Sequence, residues 1–204
     1  MKTWILASNS PRRKELLTML SIPFTVQISD VDERALEQQH HTDTPAQKAA
    51  IFAQAKALAV AQHAPTDSIV IAADTIVALN NEILHKPKDT NDAFQILSKL
   101  SGHTHTVYTG LSLVLTNPTH TQTVLTKVSA TDVTFRTLTE SEIQSYIATK
   151  APMDKAGAYG IQGKGALFVE RIQGDYYTVM GLPLVLLQEM LQPYGIQLSD
   201  FWNP

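Results

Sequence analysis

Asp74 stands in the middle of IAADTIV, an apolar run in which a carboxylate is costly unless it is paired, hydrogen-bonded or facing a cleft. A charge kept at that cost points to chemistry, the alternative being an aspartate paired with a core arginine or lysine. Upstream, Arg12 and Arg13 follow Ser10-Pro11 in LASNSPRRKELL, residue types suited to an N-cap and a first helical position. The first turn of a helix exposes unpaired N–H groups and the positive end of the dipole. Guanidiniums there cost roughly 0.3–1 kcal/mol each, a cost that a bound anion reverses and that water or Glu15 could also soften. Glu33 closes the acidic stretch DVDE and with Asp74 could offer the hard oxygens that magnesium takes beside substrate phosphates, although most acidic loops are solvated turns. Lys56, in an alanine-rich segment, and Lys86, stiffened by Pro87, each read singly as surface lysines. With the two arginines they could complete a cationic pocket for a polyphosphate.

Other candidate chemistries are weaker. His103 and His105 would share a strand face and could ligate a metal, but no third soft ligand is evident, and His105 reads as a structural hydrogen-bonder. Ser8 and Ser10 lack the G-x-S-x-G elbow of a serine nucleophile. Gly163-Lys164 is followed by Gly165 and so is no Walker motif.

An alternation of strands and helices must position these side chains. Residues 4–6 read as a strand, and a helix from residue 11 places Leu16, Leu17 and Leu20 on one face before Ser21 and Pro23 end it. A strand over 24–28 leads into the acidic loop. Thr44-Pro45 opens a long helix that reaches His63. SIVIAADTIVAL, residues 68–79, is the buried strand, with Asn80-Asn81 as its turn. Thr90 caps a helix carrying Phe94, Leu97 and Leu100. Residues 107–115 and 121–135 form a hairpin around Asn117-Pro118, and Thr139 with Glu142 marks a capping box. Gly157, Gly160, Gly163 and Gly165 imply close backbone passage or positive φ, whereas Gly174 reads as the turn of a hairpin between 168–172 and 176–179.

The chain has 204 residues, 44% of them hydrophobic, enough for one core, and the expectation is a single domain over 1–204. Sixteen lysines and arginines against 19 acidic residues leave a net charge of −3 and no broad basic face for a nucleic-acid polymer. No segment approaches membrane-spanning length, and the apolar run after Lys2 is short for a signal peptide. With no cysteine there is no disulfide framework or thiolate nucleophile. The expected compartment is the cytoplasm.

In order along the chain, LASNSPRRKELL, DVDE, ADTIV, HKP, LSGHTHTVYTG, DKAGAYGIQGKGA and GLPL resemble the Maf family of nucleoside triphosphate pyrophosphatases, over residues 6–184. The resemblance implies a mixed α/β fold: an elongated, twisted mixed sheet with flanking helices around a deep cleft, as in the ITPases. It implies hydrolysis of a nucleoside triphosphate to monophosphate and pyrophosphate with a divalent cation, Mg2+ or Mn2+, held partly by Glu33 and Asp74. Residue by residue, Asp74 matches the proton acceptor. Arg12, Thr75 and Gln162 match specificity positions, and Ser8, Arg13, Glu33, Lys56 and Lys86 match the polar pocket. Gln162 resembles the branch acting on dTTP and UTP, because an amide both donates and accepts, as a uracil or thymine edge does. The branch acting on 7-methyl-GTP typically carries glutamate there. His85, His103 and Ala151 depart from the usual pattern and leave fine preference open. A nucleotide sensor acting through a protein partner in septum control would need the same basic pocket. A homodimer is compatible with either reading.

Overall fold

The structure, a computed structural model, describes residues 2–202. Its centre is a seven-stranded mixed sheet. The strands are β1 (Thr3–Leu6), β2 (Phe24–Val26), β3 (Ser68–Leu79), β4 (Glu82–Leu84), β5 (Thr104–Thr116), β6 (Gln122–Phe135) and β7 (Val169–Gln173). They lie in the order β2-β1-β3-β5-β6-β7, with β4 on β3. β1 pairs in parallel with both β2 and β3, and the remaining pairings are antiparallel.

Burial on both faces explains why β3 reads as a continuous apolar run. Ile69, Ile71 and Ala73 face α1 (Pro11–Met19) and α7 (Leu184–Leu191) through Leu16, Leu17, Leu187 and Leu191. Val70 and Ala72 face α3 (Pro45–Ala61), packing on Ala57, Val60 and Ala61. Further along, Val77 joins a second packed region with α4 (Thr90–Leu100) and α5 (Glu140–Ala148). Along one edge, β1 pairs with β3 only as far as Leu6 opposite Ile71, and β4 begins opposite Val77. A gap in the sheet edge remains between them, and Asp74 and Thr75 lie in it.

The structure corrects several expectations. The acidic stretch does not stay a loop: Asp32 accepts from the backbone N–H groups of Arg34 and Ala35 and caps a short helix, α2 (Glu33–Gln39). The cap of α4 is Asp89 rather than Thr90. β2 stops at Val26, short of residue 28, and β4 was not foreseen. The expected hairpin around Gly174 is a strand followed by a helix. The carboxylate of Asp175 accepts from the N–H groups of Tyr177 and Thr178, turning the chain into α6 (Tyr176–Met180). Local capping by aspartate decided three of these elements, overriding β-branched and aromatic propensity in the last.

Candidate active site

Two periodicities bring the site together. In β3, successive side chains point to opposite faces, so Asp74 falls with Val70 and Ala72 toward α3, and Thr75 falls with Ala73 toward α1. Asp74 accordingly meets a lysine of α3, and Thr75 meets an arginine of α1. Lys56 donates from Nζ to Asp74 Oδ1 at 2.6 Å and lies 2.9 Å from Glu33 Oε1. Its placement depends on Gly110, the β5 residue opposite Asp74. A Cβ added at Gly110 would lie 2.0 Å from the carbonyl oxygen of Ala49, so the α3 backbone rests directly on the sheet. Lys56, two turns beyond Ala49 on the same helix face, then reaches Asp74.

On the opposite face, Arg13 donates from Nε to the Gly181 carbonyl (2.8 Å), from Nη1 to Ser8 Oγ (3.0 Å) and from Nη2 to Thr75 Oγ1 (3.1 Å). All three acceptors are neutral. Gly181, at φ +100°, ends α6 in the left-handed region, and an added Cβ would sit 3.0 Å from Thr75 Oγ1. The α1 N-terminus is likewise unsatisfied: Ser10 occupies the N-cap position, but its side chain makes no capping bond, and the first turn holds no acidic residue. The half-buried Arg12 makes no hydrogen bond or ion pair among the described residues.

Burial raises the proton affinity of Asp74 above that of a free aspartate, opposed by Lys56 and Arg13. Burial lowers that of Arg13, with Asp74 opposing. The cluster lines a cleft of about 680 Å³ together with Ser8, Arg12, Lys86 and Gln162. Ser8, Arg12, Arg13, Glu33, Lys56, Asp74, Thr75, Lys86 and Gln162, the positions matched to the family's site, all line this cavity. Asp154 and Lys155 also line it and were not singled out, although DKAGAYG contains them. Asp30 and Asp32 do not line it, Asp32 being spent on the cap of α2. His103 and His105 are not a metal pair. His103 precedes β5, its Nδ1 2.8 Å from the Ser101 carbonyl, while the buried His105 places Nε2 2.8 Å from the Tyr159 hydroxyl.

Among the described residues, no three His, Cys, Asp or Glu side chains gather as a self-sufficient metal site. Glu33 and Asp74 nonetheless converge on one cation, the Lys56 ammonium, at the floor of an open cleft. Two hard carboxylates fit a divalent ion that takes its other ligands from water and phosphate.

A parallel strand pair whose carboxyl ends open beside an uncapped helix N-terminus is the arrangement by which one class of α/β proteins offers unpaired N–H groups to an anion. Within that class the chain belongs to the Maf-like protein family, which it matches over residues 3–194. A dTTP/UTP pyrophosphatase of Bacillus cytotoxicus is 50% identical to it over 194 residues, covering 95% of this chain and 96% of that one. The dTTP/UTP pyrophosphatase of Bacillus cereus strain B4264 is 45% identical over 199 residues, covering 98% and 99%. Among solved structures, the Ham1 protein of Staphylococcus aureus aligns at 16% identity with a TM-score of 0.47, covering 95% of this chain and 100% of that one, a likeness too distant to bear on mechanism. No helix among the described residues is long and apolar enough to cross a membrane.

Proposed function

We propose that the chain, acting as one domain in the cytoplasmic nucleotide pool, hydrolyses dTTP and UTP to the monophosphate and pyrophosphate. The observation that carries this reading is the state of Asp74. Its Oδ1 is held by Lys56, no hydrogen bond from the described residues reaches Oδ2, and burial makes it a stronger base than a free aspartate. A water beside Oδ2 loses its proton to the carboxylate as its oxygen attacks the α-phosphorus. The bond from that phosphorus to the bridging oxygen breaks, and the electron pair leaves with pyrophosphate. Arg12, Arg13 and the open N–H groups of α1 hold the phosphate chain, and Lys86 at the cleft rim neutralises the departing charge. Glu33 and Asp74 would hold a divalent cation, Mg2+ or Mn2+, whose charge screens the phosphate oxygens.

Gln162 is exposed on the loop between Gly160 and Gly165, where its amide can pair with the donor and acceptor edge of uracil or thymine. Pyrophosphate release from a panel of dTTP, UTP, GTP and 7-methyl-GTP, with and without EDTA, tests the proposal. Turnover of the two pyrimidine nucleotides that EDTA abolishes is the expected result. A preference for 7-methyl-GTP, or no turnover of any triphosphate, would overturn it.

A further inference from the structure

Thr109 never touches the cleft, yet its hydroxyl is joined to the cationic side of the site. It lies on β5 directly opposite Thr75, is fully buried, and donates to the Thr178 carbonyl at 2.7 Å. A carbonyl oxygen can only accept, so the single hydroxyl proton of Thr109 is committed there. The Thr75 and Thr109 hydroxyl oxygens are 3.0 Å apart, and with the Thr109 proton committed, Thr75 must be the donor between them. Thr75 is left with lone pairs alone on its cleft side, and one of them receives Arg13 Nη2–H at 3.1 Å. The protons therefore run one way, from Arg13 to Thr75 to Thr109 to the Thr178 carbonyl. Three N–H groups of Arg13 are committed to Gly181, Ser8 and Thr75, and the remaining two have no hydrogen-bond partner among the described residues and lie beside the cavity.

We infer that Thr109 is a positioning residue for the reaction: its hydroxyl fixes Thr75 as an acceptor and thereby aims the free N–H groups of Arg13 at a bound pyrophosphate or triphosphate. A Thr75 hydroxyl free to rotate could present its proton to Arg13 instead, and that contact would turn repulsive. Gly181 lets the guanidinium lie close against its carbonyl, because a Cβ there would stand 3.0 Å from Thr75 Oγ1 and 3.5 Å from Arg13 Nε and Nη2. The inference rests on the proposed function only in naming the substrate, because the anion site exists whatever nucleotide is cleaved.

The test compares Thr109→Val, Thr109→Ala and Thr109→Ser. Calorimetric affinity for inorganic pyrophosphate with magnesium reads the anion site without requiring turnover, and kcat and KM for UTP read the reaction. Expected for Val and Ala is a loss of pyrophosphate affinity of about tenfold, a KM effect exceeding the kcat effect, and recovery toward wild type with Ser. On an Arg13→Ala background, Thr109→Val should cause no further loss. Should Val fail to fold, the Ser and Ala pair gives the same reading. Unchanged affinity in a folded Val or Ala variant would overturn the inference, as would a Ser variant as impaired as Val. A wild type that binds pyrophosphate but does not turn over UTP would sink the proposed function and leave the role of Thr109 to stand on the affinities.

Discussion

On the ladder formed by β3, β5 and β6, burial shifts the pKa of two titratable groups, Asp74 and His105, with opposite fates. Asp74 is surrounded by charge, with Lys56 on one side, Arg13 across the strand and Glu33 beyond, and it opens into a cavity. His105, farther along β5, is sealed. Its ring stands edge-on to Phe135 and Tyr159 at centroid distances of 5.0 and 5.3 Å, its Nδ1 has no partner among the described residues, and burial holds its pKa down to about 4. Desolvation shifts both groups away from their charged forms. The histidine is neutral at physiological pH and serves the fold, whereas the carboxylate is kept beside cations that a substrate can share. Burial and a shifted pKa thus fail to distinguish function from packing; convergence on an open cavity does.

The comparison breaks most visibly at Asp74→Asn. Turnover should fall by at least ~10²-fold, toward ~10⁴-fold, because a general base is removed. The apo protein should melt at the same temperature or higher, because a desolvated charge is gone. Pyrophosphate release and melting on one preparation decide the matter: turnover within a few-fold of wild type would remove Asp74 as the base, and a collapsed fold would make it structural.

Acid should pull the two regions in opposite directions. The His105 contribution is fully present above its unfolded pKa of 6.5 and is lost as pH falls toward about 4, a total on the order of 3 kcal/mol. Asp74, with its folded pKa raised, is least costly in acid and most costly at neutral pH. Denaturant melts from pH 7 to 4 should therefore show His105→Gln losing less stability than wild type. The advantage of Asp74→Asn should shrink over the same range. Parallel curves for all three proteins would show that neither group is linked to folding in this way.

A new charge should be tolerated on the open side of the comparison. Gln162→Glu is expected to fold normally while losing about 1–3 kcal/mol in kcat/KM for UTP, as a base-edge hydrogen bond is left unpaired. Unchanged kcat/KM would take Gln162 out of the base pocket. The smallest effect belongs to Arg12→Ala, which should raise KM for nucleotide. Apo stability should stay level or rise by about 0.3–1 kcal/mol, as an unfavourable charge leaves the positive end of α1. A marked drop in melting temperature would mean that Arg12 holds the fold rather than the ligand.

Asp74 was legible in the sequence because a carboxylate inside SIVIAADTIVAL breaks a pattern, and Arg12 and Arg13 because they sit where helices favour acids. The long strands and α3, set by periodicity and proline, were legible for the same kind of reason. Thr109 was not, since a threonine in an alternating strand is ordinary and its meaning lies in the direction of a proton. The α2 and α6 helices were hidden because each is decided by one aspartate reaching back to backbone N–H groups, in segments of five to seven residues with no room for a periodic signal. Neither the pairing of Lys56 with Asp74 nor that of Arg13 with Thr75 could be read from spacing alone. Both depend on which face of β3 each side chain takes.

The missing side chain at Gly110 has a consequence for how this cleft can change over generations. Because α3 is seated on bare backbone there, any larger residue would lift the helix and carry Lys56 away from Asp74, so the wall bearing Asp74 is closed to gradual variation. In the loop across the cleft Gly165 is locked in the same way, a Cβ there standing 2.4 Å from the Gly160 carbonyl oxygen, but Gln162 and Lys164 are exposed. New nucleotide preferences should therefore arise by substitution at Gln162 and Lys164, with the wall that holds Lys56 and Asp74 inherited intact.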